Sequence, residues 1–349
     1  MVFPHQMERL AQDEIPRRRP AQGLRGCRVD PDALRAELER RWENRGEALE
    51  AICRYALLPA GKLVRPLLCL ESAVAVGGRA EQVMPAALGM EYSHVASLVH
   101  DDIIDGDDLR RGSPSVQHLF GIDHAILTGD MLIFTAFQAL AECEERGVAA
   151  GRVVAALRVI AGMGADLTRG ATAELTLAGN AAATLEAYLT MIRLKTAALI
   201  RGACQVGAIL GGGDLREIHA LSRYGEELGI AFQIQDDLLP YGRHRDTMGK
   251  PADSDLRNRR PTLPILLAHQ SVRDDDRALI EQMLTGRLPP GSTQDQISQV
   301  VDRSGAVSTA RAMAHRHAAE AREALTGLAA TPSRDWLANV IDELIARVR

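Results

Sequence analysis

The sequence is poor in aromatic residues, and this scarcity restricts the fold class. Phe, Tyr and Trp together make up only 3% of its 349 residues, whereas Ala, Leu, Val and Gly are abundant. Aromatic and β-branched side chains favour strands, while small side chains allow helices to pack closely. An alternation of apolar and polar residues with a period of two is also almost absent. The sequence therefore predicts an all-α protein.

Other absences argue against whole classes of function. The five cysteines include no Cys-x-x-Cys pair, which argues against a zinc site or a disulfide framework and favours a reducing compartment. The net charge of -5 shows no excess of basic residues of the kind that binds nucleic acid. We find neither an apolar run of the roughly 20 residues that cross a bilayer nor an apolar N-terminal signal. We expect a cytoplasmic protein with no membrane span and no nucleic-acid partner.

Apolar residues instead recur at helical spacing along most of the chain. Residues 1–28 are polar, punctuated by proline and aperiodic, which predicts a mobile N-terminal arm before a single domain at 29–349. Breaks that contain Gly or Pro separate the periodic stretches. The predicted helices span residues 33–58, 66–77, 82–106, 122–145, 149–178, 183–211, 214–239, 261–269, 274–285, 293–301, 304–327 and 333–348.

Two aspartate clusters end apolar helices in this prediction. The first is Asp101-Asp102-Ile103-Ile104-Asp105, and the second begins with Asp236-Asp237. Asp101 and Asp105 share one helix face, about 6 Å apart along its axis. Mg²⁺ prefers carboxylate, water and phosphate oxygens, so two such faces would suit a metal-bound diphosphate. A single cluster of this kind is equally well explained as a solvated helix end, and it is the second cluster that favours a metal site.

Basic residues accompany both clusters and could bind the oxygens of a diphosphate. Taken singly, each is typical of a solvated surface charge, and only their order along the chain indicates anion binding. These residues are Lys62, Arg65, Arg110, Arg111, Lys195, Lys250 and Arg260.

In this order the motifs resemble those of the all-trans polyprenyl diphosphate synthases, a family that includes farnesyl and geranylgeranyl diphosphate synthases. The resemblance runs from about residue 30 to the C-terminus. The matching stretches are Gly61-Lys62-x-x-Arg65-Pro66, His94, Ser97-Leu98-Val99-His100-Asp101-Asp102, Asp105, Asp108-Leu109-Arg110-Arg111-Gly112, Gly129-Asp130, Lys195-Thr196, Phe232-Gln233-x-x-Asp236-Asp237, Gly249-Lys250-Pro251, Ser254-Asp255-Leu256 and Thr262-Leu263-Pro264.

The resemblance implies an all-α isoprenoid synthase bundle with a central substrate cavity, usually assembled as a homodimer. It implies an enzyme that condenses isopentenyl diphosphate with an allylic diphosphate, with about three Mg²⁺ ions per active site as cofactor. The implied catalytic residues are Asp101, Asp105, Asp236 and Lys195. The implied metal-binding residues are Asp101, Asp102, Asp105, Asp236 and Asp237.

Residues for both substrates follow from the same resemblance. The allylic diphosphate would contact Arg110, Lys195, Thr196, Gln233, Lys250 and Arg260, the last of which stands where the family usually has Lys. Isopentenyl diphosphate would contact Lys62, Arg65, His94 and Arg111. Product length would be set by Ser93, Ala96 and Ser97, which are small and lie one or two turns before Asp101. Their size predicts geranylgeranyl diphosphate or a longer product.

Two departures from the family pattern leave alternatives open. Pro240 stands where the second motif usually has Asp, and it can neither bind metal nor continue a helix. Ala171 stands where the family often has Gln. The altered second motif motivates a terpene cyclase-like enzyme or a non-catalytic subunit of a heteromeric synthase as alternatives. The intact isopentenyl diphosphate residues and the five remaining motif aspartates favour the elongating enzyme.

Overall fold

Helices dominate the computed structural model, which describes residues 27–43, 46–241, 258–288 and 294–345. The predicted arm therefore lies outside the described residues except for its last two positions, and Lys250 also lies outside them. The α-helices are α1 (Pro31–Arg41), α2 (Ala48–Leu57), α3 (Val64–Ala75), α4 (Ala80–Asp105), α5 (Val116–Phe120), α6 (Ile122–Glu145), α7 (Ala150–Leu177), α8 (Leu185–Ile192), α9 (Ala198–Gly211), α10 (Leu215–Leu238), α11 (Leu263–Ser271), α12 (Asp274–Thr285), α13 (Gln294–Arg303), α14 (Ala306–Ala324) and α15 (Pro332–Ile345).

The all-α prediction is confirmed, and most predicted helices match observed ones to within a few residues. The predicted helix at 33–58 is wrong in one respect, because the structure divides it into α1 and α2. Gly46 lies between them with a φ of 84°, a conformation that a right-handed helix cannot contain. A short hairpin, β1 (Leu109–Arg110) paired with β2 (Ser113–Pro114), is not predicted by the sequence.

The chain divides into two structural units. Unit 1 comprises Met1–Ile160, Ala203–Ile218 and Ala329–Leu337, and unit 2 comprises Ala161–Gly202, His219–Leu328 and Ala338–Arg349. The single domain expected from the sequence stays a prediction. The five cysteines are free, as their spacing predicts.

In unit 1, α4 packs along α6, and glycines bring the two helices close together. A Cβ on Gly89 of α4 would lie 3.0 Å from the carbonyl oxygen of Ala136 on α6. A Cβ on Gly129 of α6 would collide with the ring of His100 on α4, so the glycine allows this ring to approach the helix. These contacts hold the C-terminal end of α4, where the first aspartate cluster lies, against a neighbouring helix.

Among the described residues, α6 is the one helix long and apolar enough, by length and composition, to cross a membrane. The sequence predicts the helix itself, but the prediction of no membrane span did not take its length and apolar composition into account. Length and composition are weak grounds for a span, because core and interface helices of other proteins meet the same test. One face of α6 is buried against α4, while Ile126, Leu127 and Phe134 are exposed.

In unit 2, α8, α10, α11 and α14 surround an apolar core built from aliphatic side chains and one tyrosine. Its buried residues include Tyr188, Ile192, Ile234, Leu238, Leu263, Leu266, Ala310 and Ala314. A second cluster joins α11 to α12 and α13. This core fixes the C-terminal end of α10, where the second aspartate pair lies.

Candidate active site

The first aspartate cluster occupies the last turn of α4 in unit 1. Asp101 and Asp105 are half-buried, whereas Asp102 is 2% exposed. The Nε of Arg110 donates to Oδ1 of Asp102 at 2.8 Å, and its Nη2 donates to the same oxygen. Adjacent side chains on a helix point about 100° apart, so Asp101 and Asp102 face different surroundings. Asp101 is the outer carboxylate of this pair, and Asp102 is the inner one. Asp101 and Asp105 are the hard oxygen ligands that this turn can offer to a divalent cation.

The hairpin that follows α4 carries both predicted arginines. Arg111 and Gly112 connect its strands, with φ of 53° and 76° respectively. Two successive positive φ values are typical of a type I′ turn, in which Gly is favoured and Arg is strained. Strain of this kind is concentrated at functional sites. The backbone therefore directs Arg110 to Asp102 and leaves Arg111 in the turn between the strands.

Arg111 lies against the segment that precedes α3. A Cβ on Gly61 would be only 3.0 Å from its Nη1, so the absence of a side chain there allows the guanidinium to approach. Two residues later, Leu63 also has a positive φ, of 53°. Lys62 is exposed between these two positions. The predicted residues Lys62 and Arg111 are thus carried by two neighbouring, strained segments of unit 1.

The predicted residues Arg65, His94 and Arg111 are close enough to influence one another's charge. Burial and the guanidinium groups of Arg65, Arg111 and Arg110 hold the pKa of His94 well below its ordinary value. Burial also raises the pKa of the nearby Glu91 carboxyl, although Arg111 and Arg65 oppose this rise. His94 is therefore neutral in a strongly cationic surrounding, which suits the binding of an anion.

The three predicted chain-length residues lie on α4 before Asp101. Ala96 is 1% exposed, while Ser93 and Ser97 are half-buried. The hydroxyl of Ser97 donates to the carbonyl oxygen of His94 at 2.8 Å, and that of Ser93 donates to the carbonyl oxygen of Gly89 at 3.0 Å. Both hydroxyls are thereby satisfied by the helix itself, which leaves small, weakly polar positions on this face.

In unit 2, Lys195 and Thr196 lie in a π-helical turn, Arg193–Ala197, between α8 and α9. Such turns are rare and are often found at functional sites. Glycines on two neighbouring helices allow the backbone of this turn to pack closely against them. A Cβ on Gly170 of α7 would lie 2.4 Å from the backbone N of Lys195, and one on Gly229 of α10 would lie 2.5 Å from Cα of Ala197.

Lys195 and Arg260 converge on one carboxylate, Glu174 of α7. The Nζ of Lys195 lies 2.5 Å from Oε2 of Glu174, and Nη2 of Arg260 lies 3.3 Å from the same oxygen. All three side chains are less than 20% exposed. Two cations held on one carboxylate bring positive charge together, as the binding of diphosphate oxygens requires.

The second aspartate pair ends α10 in unit 2. Asp236 is half-buried, and Asp237 is 7% exposed. Asp237 accepts hydrogen bonds from Tyr188, Gln233 and the backbone of Leu263. The α-helix ends at Leu238, and a 3₁₀ turn, Leu239–Tyr241, contains the buried Pro240. The predicted effect of Pro240 on the helix is confirmed.

A further group of possible ligands in unit 2 comprises Glu227, His317 and Glu320, whose ligand atoms all lie within 4.8 Å of one another. His317 Nδ1 lies 2.6 Å from Oε2 of Glu227. This hydrogen bond accounts for the arrangement without an ion, and we assign no metal to it.

The sequence does not reveal three residues that complete these sites, namely Glu91, Glu174 and Tyr188. Glu91 and Glu174 interrupt apolar helices, and a buried acid among small residues is a signal that could have drawn attention to them. Tyr188 is one of only five tyrosines in the chain. No spacing rule links it to Asp237, because 49 residues separate the two.

Known proteins are similar to this chain in sequence and in fold. The polyprenyl synthetase family model matches residues 46–302. A short chain isoprenyl diphosphate synthase from Methanothermobacter thermautotrophicus is 35% identical over 305 residues, covering 86% of this chain and 91% of that protein. A geranylfarnesyl diphosphate synthase from Aeropyrum pernix is 32% identical over 307 residues, covering 87% of this chain and 95% of that protein.

A solved structure is similar along nearly the whole chain. It is a polyprenyl synthase from Caulobacter crescentus CB15 complexed with calcium and isoprenyl diphosphate. The TM-score is 0.82 with 27% sequence identity, and the match covers 99% of this chain and 98% of that one.

Proposed function

This chain belongs to the polyprenyl synthetase family and is a trans-prenyltransferase, and from that premise we propose that it makes geranylgeranyl diphosphate or a longer product. Similar proteins carry names from farnesyl to decaprenyl diphosphate synthase, so family membership alone leaves product length open. The observation that carries the proposal is the face of α4 before Asp101, where residues 93, 96 and 97 are Ser, Ala and Ser. No bulky side chain stands at these positions to stop a growing chain.

Magnesium is the cofactor that we propose. Asp101 and Asp105 in unit 1, and Asp236 in unit 2, offer half-buried carboxylate oxygens, which fit Mg²⁺. The family resemblance implies about three ions per active site. Asp102 and Asp237 would support these ligands from inside the protein. The similar Caulobacter protein is complexed with calcium and isoprenyl diphosphate, which supports a divalent cation as a cofactor here. When bound, the ions would neutralise the charge of the departing diphosphate.

The side chains would divide the two substrates between them. In unit 2, Lys195 and Arg260, gathered on Glu174, would bind the allylic diphosphate. The family resemblance assigns Arg110, Thr196, Gln233 and Lys250 to the same substrate. Arg65, Arg111, Lys62 and the neutral His94 would bind isopentenyl diphosphate. With both held, the allylic C–O bond breaks, the isopentenyl double bond forms the new C–C bond, and a proton passes to the released pyrophosphate.

Assembly and location complete the proposal. On α6, Ile122, Ile126, Leu127 and Phe134 are exposed, and Phe134 is 68% exposed. Exposed apolar side chains of this kind are typical of a protein interface, and we propose that a second copy of the chain covers them in a homodimer. Sedimentation of the purified chain measures this. We also propose a cytoplasmic location.

Incubation of the purified protein with Mg²⁺, labelled isopentenyl diphosphate and each allylic primer tests the function. We expect chromatography to show elongated diphosphates of at least the geranylgeranyl length, and no product with excess chelator. A hydrocarbon formed from the primer alone would instead indicate the cyclase alternative. No turnover by the protein alone would indicate the subunit alternative, and neither alternative gains support from the similar proteins.

Substitution of Ala96 tests the proposed control of product length. Ala96→Phe places a ring about one turn before Asp101, and we expect a shift towards farnesyl diphosphate in the chromatographic assay. Ser97→Phe, at a half-buried position, is a second variant in case the buried Ala96→Phe is unstable. Unchanged product length in both folded variants would contradict this role for α4.

A further inference from the structure

The Asp237 carboxylate joins three segments of unit 2. Its Oδ2 accepts from the phenol of Tyr188 at 2.6 Å and from the backbone N–H of Leu263 at 3.1 Å. Its Oδ1 accepts from Nε2 of Gln233 at 2.9 Å. Both carboxylate oxygens therefore have protein donors, and the residue is nearly buried. These contacts distinguish Asp237 from the half-buried Asp236 beside it.

The chemistry of these groups fixes the direction of the hydrogen bonds. An ionised carboxylate only accepts, so the NH₂ of Gln233 must face Asp237 and its amide oxygen must face away. That oxygen lies 2.7 Å from Oγ1 of Thr196 and can only accept, so Thr196 must donate its hydroxyl proton to Gln233. Thr196 then retains oxygen lone pairs for a ligand and has no second proton to offer.

We propose that Asp237, held in place by the Tyr188 phenol, is a positioning residue that fixes this direction, so that Thr196 presents an acceptor to the allylic substrate. The inference rests on the proposed function, in which Thr196 lies at the allylic site. The allylic carbon becomes electron-poor as its bond to the diphosphate oxygen breaks. An acceptor held beside it stabilises the transition state more than the bound substrate.

A purely structural role for the same carboxylate predicts a different outcome. Asp237 also connects the end of α10 to the first residue of α11, where an anion stabilises a helix start. Loss of that contact alone would lower the melting temperature and leave kcat unchanged. A positioning role predicts that kcat falls while the KM values of both substrates stay nearly constant.

The test uses Tyr188→Phe in the full-length protein, because this change removes one donor to Asp237 and retains the ring. We expect kcat to fall about tenfold, with both KM values within about twofold of wild type. Tyr224→Phe is the matched control, since Tyr224 is equally buried on α10 and lies about 13 Å along the helix axis from Gln233. The control should keep the wild-type kcat.

Two further measurements isolate the mechanism. Tyr188 and Thr196 are linked through Asp237 and Gln233. In a Thr196→Val background, Tyr188→Phe should therefore lower kcat only slightly further. Calorimetric titration of Mg²⁺ in the presence of inorganic pyrophosphate should give wild-type affinity for Tyr188→Phe and Asp237→Asn, and a lower affinity for Asp236→Asn.

An unchanged kcat in Tyr188→Phe, or independent effects of the two substitutions, would overturn the proposal. A loss of Mg²⁺ affinity in Asp237→Asn would overturn it too, because Asp237 would then be a metal ligand. Failure of the proposed function is seen separately, as wild-type protein that makes no elongated product.

Discussion

The two aspartate pairs look alike in the sequence, yet the protein holds the inner member of each in a different way. Asp102 is bound by Arg110, only eight residues further along the chain. Asp237 is bound by Tyr188, 49 residues earlier, and by Leu263, 26 residues later. The first inner carboxylate therefore serves a local ion pair, and the second serves a junction between distant helices.

The outer members of the two pairs resemble each other more closely. Asp101 and Asp236 are both half-buried and occupy the last turns of α4 and α10. From the difference between the inner and outer members we propose that adjacent acidic residues in one motif divide their tasks, with one offered to a cation and the other retained by the protein. The following predictions test that division, beginning with the largest expected effect.

Removal of an outer charge should cause the greatest loss of activity. We expect Asp101→Asn and Asp236→Asn each to lower kcat/KM by about a hundredfold to a thousandfold and to raise the Mg²⁺ concentration required, because each removes a proposed metal ligand. Steady-state kinetics over a range of Mg²⁺ concentrations measures this. Asp108→Asn, which changes an exposed carboxylate, is the control and should stay close to wild type.

Removal of the inner charge of the first pair should instead reduce stability. Asp102→Ala leaves the partly buried guanidinium of Arg110 without this carboxylate, and we expect a loss of about 3–5 kcal/mol in the free energy of unfolding. Chemical denaturation measures it, and the double variant with Arg110→Ala should lose less than the sum of the two single changes. A stable Asp102→Ala protein with weakened Mg²⁺ binding would show that both members of the pair bind metal.

A smaller effect should appear as a pH dependence of stability in unit 1. The folded-state pKa of His94 lies well below 6.5, so the unfolded chain binds more protons than the folded chain as the pH falls below about 6.5. We expect His94 to cost stability in that window, by about 1.4 kcal/mol for each pH unit down to the folded-state pKa, and nothing at higher pH.

Denaturation of His94→Gln at several pH values isolates this contribution. Glu91 has a raised pKa and acts in the opposite direction, but it is retained in the variant, so the difference from wild type reports His94 alone. The exposed His315→Gln provides the control. An identical pH dependence for His94→Gln and wild type would show that His94 is not buried as a neutral group.

Much of the fold was accessible from the sequence because helical periodicity and Gly or Pro breaks are local properties. Predicted helices such as 122–145 and 274–285 coincide with the observed α6 and α12. The interruption between α1 and α2 was not predicted, since Glu and Arg continue the helical pattern across it and only the φ of Gly46 reveals the break. The hairpin at 109–114 is too short to produce a detectable alternation.

The sequence by itself determined the helical class and the family, because these depend on residue type and spacing. From the same motifs it predicts which residues would serve a diphosphate chemistry. Only the tertiary structure decided which aspartate of each pair is retained inside, that Glu174 gathers Lys195 and Arg260, and that Tyr188 reaches Asp237. The physical reason is that helix periodicity sets the angle between neighbouring side chains, while the segments packed against the helix decide which of them is buried.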